Sequence, residues 1–153
     1  MTFPIKYTEI PRIFGKKYLE GWHLGVDYLA PFDTPVYAIS VGVVKYSIDL
    51  KGFGSLAPAT KGGLVIVEHT NKDNQKYLAL YCHLRRFVIT GETVKEGTIL
   101  GKIINFKNGN LVVPHLHFGI HESVGIILQH LGYAITEDLG FYRDPQKYLI
   151  EKV

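Results

Sequence analysis

Short runs rich in β-branched and aromatic residues, separated by glycine-containing turns, recur along most of this chain. Residues 64–68 follow a glycine pair at 62–63, and a polar turn at 71–74 leads into a second run at 77–83. Val, Ile, Tyr and Phe favour strands, and glycine supplies the backbone freedom that tight turns need. The content of 16 Gly, 10 Tyr and 8 Phe agrees with this pattern. The pattern predicts a mainly β fold, an antiparallel sheet or β-sandwich-like single domain.

The remaining β-rich runs extend the predicted sheet in both directions along the chain. They cover residues 36–39, 41–46, 87–89, 93–94, 99–104 and 112–121. A short C-terminal helix is predicted over 146–150, with Asp144 as its N-cap and Pro145 at its first position. The segment 124–131 is interpreted as a helical turn or a loop insert. We expect one domain over residues 1–153, with residues 1–20 as a lead-in segment.

Charge and composition exclude several classes of protein. The chain has 153 residues, enough for one domain with its own core, and a mild net charge of +3. Its basic residues are scattered, so we expect no nucleic-acid partner. No apolar stretch approaches transmembrane length, and no signal peptide is visible in the first residues. We therefore expect no membrane span, while the oligomeric state and the compartment stay open at this point.

The single cysteine, Cys82, limits the chemistry that thiols can supply. One cysteine excludes an internal disulfide framework and a cysteine-rich structural zinc site. Cys82 lies in an apolar run and is interpreted as a buried strand residue rather than a nucleophile. Adjacent strand residues point to opposite faces, so we expect the side chains of Cys82 and His83 to diverge.

The placement of the histidines is the main functional signal among the 7 that the chain contains. His115 and His117 stand at i and i+2 of a strand-like run, so both rings project from one face. His23 and Asp27 form a second pair, in a segment whose glycine and nearby prolines disfavour a helix. Catalytic zinc takes three imidazole or carboxylate ligands, and His23, Asp27 and His117 meet that requirement if the fold brings them together. His83 ends another predicted strand, and histidine is suited to proton transfer near neutral pH.

The chain as a whole resembles the lysostaphin-type zinc metallopeptidases, also called the LytM family of peptidoglycan endopeptidases. The resemblance rests on short motifs that follow the family's order over nearly the whole chain. They are His23-Leu24-Gly25-Val26-Asp27-Tyr28, Thr34-Pro35-Val36-Tyr37-Ala38, Gly42-Val43-Val44, Tyr81-Cys82-His83-Leu84, the glycines and Val-Lys pair of residues 91–101, Pro114-His115-Leu116-His117-Phe118, and Asp144-Pro145.

The resemblance implies a function and a role for each of these polar residues. One Zn²⁺ per chain would be bound by His23, Asp27 and His117, with His83 and His115 beside it as the catalytic histidines. The fold would be mostly antiparallel, with a substrate groove across the sheet. The substrate would be a peptide bond in the stem or cross-bridge of peptidoglycan, hydrolysed by a metal-activated water. The expected location is the cell envelope or the extracellular space, and which of the two catalytic histidines is the base stays open.

Two departures from the family pattern leave room for other functions. Gly119 stands where the family often has Glu or Gln, and residues 105–113 replace a Ser/Thr-Gly-rich loop. The alternative is a zinc-binding, non-catalytic regulatory module of cell-wall hydrolases. A carrier domain of the biotinyl or lipoyl kind is disfavoured, because the chain lacks the required lysine motif and such a domain gives no role to the ordered histidines.

The other histidines and two aromatic residues receive weaker interpretations. His69 is expected to be a solvated residue at a turn, and His130 a surface residue. His121 shares strand parity with the histidine pair and could approach the groove. Tyr18 and Trp22 flank the first candidate ligand and belong either to the groove or to the core.

Overall fold

The computed structural model describes residues 1–54, 60–108 and 111–153. Within these ranges the chain forms short and long β-strands and one helix near the C-terminus. The strands are β1 (Glu9–Arg12), β2 (Lys17–Tyr18), β3 (Gly21–His23), β4 (Val26–Leu29), β5 (Pro35–Tyr37), β6 (Gly42–Lys51), β7 (Lys61–Thr70), β8 (Lys76–Arg86), β9 (Thr93–Val94), β10 (Ile99–Ile103), β11 (Lys107–Asn108), β12 (Leu111–Val112), β13 (His115–His121), β14 (Tyr133–Ala134) and β15 (Tyr142–Arg143), and the helix is α1 (Pro145–Glu151).

Most strands belong to one antiparallel sheet. Its order is β1-β4-β13-β8-β7-β6-β9, with β10 pairing β8 and β5, and β15 pairing β13. Two smaller sheets are formed by β11 with β12 and by β14, β3 and β2. The predicted mainly β, antiparallel architecture with a short C-terminal helix is confirmed. The order places β4, β13 and β8 side by side, and these strands carry most of the candidate site.

Alternating side chains give the sheet two differently used faces. One face builds the larger apolar core, with Tyr81 of β8 and Phe118 of β13 among its fully buried members. The other face carries a smaller cluster that includes Leu64, Leu80 and Cys82. Because successive strand residues face opposite ways, the polar candidates between the core residues of β4 and β13 share this second face.

Helix α1 is capped and docked as its sequence predicts. The side chain of Asp144 accepts hydrogen bonds from the backbone amides of Gln146 and Lys147, and Pro145 occupies the first turn. The amide of Asn71 donates to the hydroxyl of Tyr148 at 3.1 Å, which fastens the helix to the β7–β8 turn. No helix among the described residues is long and apolar enough to cross a membrane.

Several sequence predictions about local structure are wrong. Residues 87–89 form no strand. Residues 124–131 form bends without helix or strand, which agrees with the loop alternative and not with the helical turn. The predicted strand at 112–121 is divided, because β12 ends at Val112 and β13 begins at His115. Pro114 lies in the gap and has no amide hydrogen to donate to a ladder. The lead-in segment contributes β1 and β2, and its Ile5 is buried in the larger core.

His69 is also placed differently from the prediction. It lies within β7, which continues to Thr70, and its side chain is 1% exposed. The ring is surrounded by hydrogen-bonding partners rather than by solvent. The strand was predicted to end at residue 68, two residues before β7 ends, so a buried strand residue was interpreted as a solvated one.

Candidate active site

Three side chains converge on one point, two from the paired strands β4 and β13 of the main sheet and one from β3 of a smaller sheet. His23 ends β3, Asp27 lies in β4, and His117 lies opposite Asp27 in β13. His23 Nε2 is 3.1 Å from His117 Nδ1 and 3.1 Å from Asp27 Oδ1, and the third side, His117 Nδ1 to Asp27 Oδ1, is 3.0 Å. All three residues are buried. The register of β4 and β13 therefore assembles a compact triangle of possible ligand atoms from positions 94 residues apart in sequence.

The donor set of this triangle fits a metal ion. The Nδ1–H of His23 donates to the carbonyl oxygen of Ile13 at 3.1 Å, which leaves its Nε2 with a lone pair towards the other two atoms. Tetrahedral ligands about 2.0–2.1 Å from zinc lie about 3.3–3.4 Å from one another, slightly wider than the observed triangle. Imidazole nitrogen and carboxylate oxygen are ligands that zinc accepts. The group of His23, Asp27 and His117 could hold such an ion with little movement.

The carboxylate of Asp27 is held in its charged form. Burial alone would raise its pKa, but the hydrogen bonds to His117 and His23 outweigh burial and hold the pKa of this carboxyl well below its usual range. A carboxylate that stays ionised in a buried place needs cationic or hydrogen-bonding neighbours. Asp27 is therefore ready to act as an anionic ligand.

One atom of this cluster has no partner. His117 Nε2 is buried and without a hydrogen bond among the described residues. Two residues further along β13, a Cβ at Gly119 would lie 3.3 Å from the carbonyl oxygen of Leu24 and 3.9 Å from the ring of Tyr142. Glycine at position 119 offers no side chain that could orient His117, whose Nε2 has no partner among the described residues.

His83 and His115 lie next to the triangle with their rings 4.6 Å apart. The Nδ1–H of His83 donates to the carbonyl oxygen of Phe53 at 2.6 Å, and that of His115 donates to Val113 at 2.8 Å. Each neutral ring then keeps Nε2 as a proton acceptor. His115 Nε2 is 3.9 Å from Asp27 Oδ2. Burial first, and the neighbouring His115 second, lower the pKa of His83 well below its usual value.

A β-bulge places His83 in this site. Gly63 pairs with Leu84 while Leu64 pairs with Cys82, so His83 is an extra residue in β8. Its φ is 74°, in the left-handed region that few non-glycine residues adopt. The bulge interrupts the alternation, and both Cys82 and His83 line the same groove. The prediction that these two side chains diverge is therefore wrong. Cys82 is buried as predicted, and burial raises the pKa of its thiol.

His83, His115, Asp27 and His117 line a groove with a cavity of about 320 Å³, while His23 is fully buried and does not line it. The apolar part of the groove lining includes Phe53 and Phe106. The polar part includes Arg12, Glu20 and Tyr133. Sequence analysis missed these wall residues. Local sequence holds no signal for them, because they come from separate segments that only the strand pairing brings together.

The structure brings all five sequence-predicted site residues together and leaves the other histidines outside. His121 is buried in β13, where its Nδ1–H donates to the carbonyl oxygen of Ser123 at 2.7 Å, and it does not line the groove. His130 is exposed, as predicted. The ring of Tyr18 meets His23 edge-on at 5.8 Å, so Tyr18 supports the candidate ligand. Residues 109 and 110 of the replaced loop lie outside the described residues, while Phe106 and Val113 from the same loop line the groove.

Comparison with known proteins identifies the family of this chain. Residues 21–128 match Peptidase family M23. The chain is 37% identical over 107 residues to the peptidoglycan DD-endopeptidase ShyC of Vibrio cholerae, which is 66% of this chain and 22% of that protein. The chain thus spans less than a quarter of the length of that relative.

Solved structures show the same fold. The antimicrobial peptidase lysostaphin from Staphylococcus simulans superposes with a TM-score of 0.64 at 25% identity, over 93% of this chain and 50% of that one. A zinc-containing peptidase from Vibrio cholerae superposes with a TM-score of 0.57 at 28% identity, over 77% of this chain and 35% of that one. The chain belongs to Peptidase family M23, a metallopeptidase family acting on peptidoglycan, as its resemblance to the lysostaphin-type endopeptidases predicted.

Proposed function

We propose that this chain is a zinc-dependent endopeptidase that hydrolyses a peptide bond in the stem or cross-bridge of peptidoglycan. In this proposal one zinc ion is held by His23, Asp27 and His117, and His83 and His115 are the catalytic residues. The proposal treats residues 1–153 as a single peptidase domain that works in the cell envelope or outside the cell. Membership of Peptidase family M23 supports the reaction class and the substrate.

The observation that carries the proposal is the triangle of donor atoms with sides of 3.0–3.1 Å. Three atoms with lone pairs lie close together and away from water. Such an arrangement raises the free energy of the folded state unless a cation or protons are shared among the three atoms. When bound there, zinc supplies a Lewis acid that polarises a carbonyl group and makes water a usable nucleophile near neutral pH.

The two remaining histidines supply the proton transfers. Hydrolysis joins the oxygen of water to the carbonyl carbon, breaks the C–N bond and moves a proton from the water to the leaving nitrogen. His83 and His115 both have Nδ1 hydrogen-bonded to a backbone carbonyl, so Nε2 of either one is able to accept that proton and pass it to the leaving nitrogen. We assign the acceptance of the water proton to His115. Its Nε2 lies 3.9 Å from Oδ2 of Asp27, a proposed zinc ligand, and is therefore close to the proposed metal position.

The groove contributes orientation and the exclusion of water. The ring of Phe106 lies 4.3 Å from that of His83 and 5.0 Å from that of His115, so one wall of the site is apolar. An apolar wall strengthens the electrostatic interactions of a substrate held against it. The polar side of the groove leaves hydrogen-bonding groups for the peptide backbone.

The test is mass spectrometry of fragments that the zinc-loaded protein releases from purified peptidoglycan sacculi. The wild type is expected to release fragments with a new amine in the stem or bridge, and to stop when a chelator removes the metal. His115→Ala is the matched variant, since it keeps all three proposed ligands and should release fragments at least about 10²-fold more slowly. If the wild type releases no such fragments from several types of peptidoglycan, the endopeptidase proposal is wrong and the zinc-binding regulatory module takes its place.

A further inference from the structure

Arg12 is brought onto the candidate ligand face by an irregularity of the edge strand. Glu9 pairs with Leu29 and Arg12 pairs with Asp27, so β1 contains one more residue than β4 between the two pairs. Without that extra residue Arg12 would stand opposite Val26, whose side chain lies in the apolar core. The bulge therefore turns Arg12 to the face of its direct partner, Asp27.

The guanidinium of Arg12 is held from three sides. Its Nη1 donates to Glu20 Oε2 at 2.9 Å and to the hydroxyl of Tyr133, and its Cζ lies 4.6 Å above the ring of Tyr18. Tyr133 in turn packs on His23 with ring centroids 5.1 Å apart. Arg12 is thus one side chain away from a proposed zinc ligand, in a fixed orientation.

These contacts leave hydrogen-bonding capacity for a ligand. A guanidinium has five N–H donors in a planar fork, and the hydrogen bonds of Arg12 within the described part of the chain all start from Nη1. The side chain is 29% exposed and lines the groove. An ion pair as exposed as that of Arg12 with Glu20 adds little stability, so its main effect is to orient the fork. Carboxylate is the group that such a fork recognises best.

We propose that Arg12 is a specificity-determining residue that binds a carboxylate of the substrate peptide close to the scissile bond. The inference rests on the proposed endopeptidase function and narrows its substrate class to peptides with a free carboxylate near that bond. Directly opposed strand residues have Cβ atoms about 5 Å apart, and an extended peptide advances about 3.3 Å per residue. The carboxylate therefore lies within about two residues of the bond that is cleaved. A neutral glycine bridge would leave Arg12 without its ligand.

The experiment compares two synthetic stem-peptide dimers of the same sequence. One, the acid, has free carboxylates, and the other, the amide, has carboxamides in their place. Binding of fluorescently labelled peptides to the zinc-loaded chain is measured by anisotropy, in a His115→Ala background for any dimer that the wild type cleaves. The kcat and KM of cleavage form the second readout. The variants are Arg12→Gln, Glu20→Gln and, as a control that removes a cation from elsewhere on the groove, Lys51→Gln. Circular dichroism checks that each variant is folded.

The acid is expected to bind about 10- to 100-fold more tightly than the amide, as charge-assisted hydrogen bonds allow, and Arg12→Gln should reduce that ratio to about 1. The loss should appear in KM more than in kcat. Glu20→Gln keeps a side-chain oxygen that accepts from Arg12 Nη1 and so keeps the fork oriented, but it removes a competing negative charge; acid binding should therefore change in the opposite direction. Lys51→Gln should leave the ratio unchanged. A merely structural ion pair would make Arg12→Gln and Glu20→Gln act in the same direction, which would overturn the proposal.

Equal or undetectable binding of the acid and the amide by the wild-type chain would also overturn it. Failure of the proposed function looks different, because absence of cleavage leaves the binding comparison intact. A chain that binds the acid selectively and cleaves nothing would keep the role of Arg12 and refute the peptidase.

Discussion

His69 is expected to make the stability of the fold depend on pH below neutrality. Its Nδ1–H donates to the carbonyl oxygen of Val41 at 3.0 Å, and its Nε2 is 3.4 Å from the hydroxyl of Tyr81, which can donate to it. The ring also packs on Tyr77, with centroids 5.5 Å apart. Tyr77 and Tyr81 are the titratable side chains in contact with the His69 ring, and burial raises the pKa of both. A proton added at Nε2 would bury a charge and displace the hydroxyl hydrogen of Tyr81.

The magnitude follows from the pKa of His69, which burial lowers from 6.5 to about 4 against the opposing hydrogen bond to Val41. Above pH 6.5 the ring is neutral in both the folded and the unfolded chain, so it adds no pH dependence. Between pH 6.5 and about 4, His69 is protonated in the unfolded chain but stays mostly neutral in the folded chain. The free energy of unfolding therefore falls as pH falls. A difference of about 2.5 pKa units at about 1.4 kcal/mol each gives a loss of about 3 kcal/mol.

The assay is urea unfolding of wild type and His69→Gln from pH 7.5 to 4, with a chelator present so that metal binding does not contribute. The stability advantage of the wild type over His69→Gln should shrink by about 3 kcal/mol across that range. Thr34→Ala is the matched control, because it removes a hydroxyl that donates to the carbonyl oxygen of Pro31 and has no hydrogen bond to His69, so its effect should be the same at every pH. A constant difference between wild type and His69→Gln from pH 7.5 to 4 would refute the reasoning.

Three further predictions concern the site and its supports. His83→Ala and His115→Ala should each lower kcat about 10²- to 10⁴-fold with zinc content unchanged, and full activity in both variants would remove them from the mechanism. Gly25→Ala should weaken zinc binding and lower the melting temperature, because its Cβ would lie 2.4 Å from a carbonyl oxygen of β13 and 2.8 Å from a ring nitrogen of a proposed ligand histidine. Zinc titration and thermal unfolding measure the two effects, and effects no larger than those of Gly125→Ala would count against this prediction. Asp144→Ala should cost about 1 kcal/mol in urea unfolding through the lost helix cap, and an unchanged midpoint would show that the cap is dispensable.

The sequence predicts the parts of this fold in which local pattern and tertiary structure agree. The strands around residues 64–68 and 77–83 and the capped C-terminal helix have clear periodicity or capping signals, and each is present. The N-terminal strands β1 to β4 were not predicted, because they are short and owe their extended form to pairing with one another and with β13 and β14. Residues 87–89 have strand-forming side chains but form no strand in the structure.

The candidate site shows the same division between local and non-local information. The histidine and aspartate motifs nominate all five residues, and the parity of His115 and His117 predicts that they share a face. The bulge at His83 could not be predicted, since it appears only as a register shift against β7. Arg12 was missed for a similar reason, because its position opposite Asp27 depends on an extra residue in β1. Bulges at both points redirect side chains that regular alternation would send to the core face.

The measurement that tests the central claim most directly is a crystal structure of the zinc-soaked protein with anomalous data collected at the zinc absorption edge. The account predicts one strong anomalous peak about 2.0–2.1 Å from His23 Nε2, Asp27 Oδ1 and His117 Nδ1. It also predicts that the Nδ1 atoms of His83 and His115 keep their backbone carbonyl partners, which leaves both Nε2 atoms free. A peak bound by other residues, or no peak at this triangle at saturating zinc, would contradict the account.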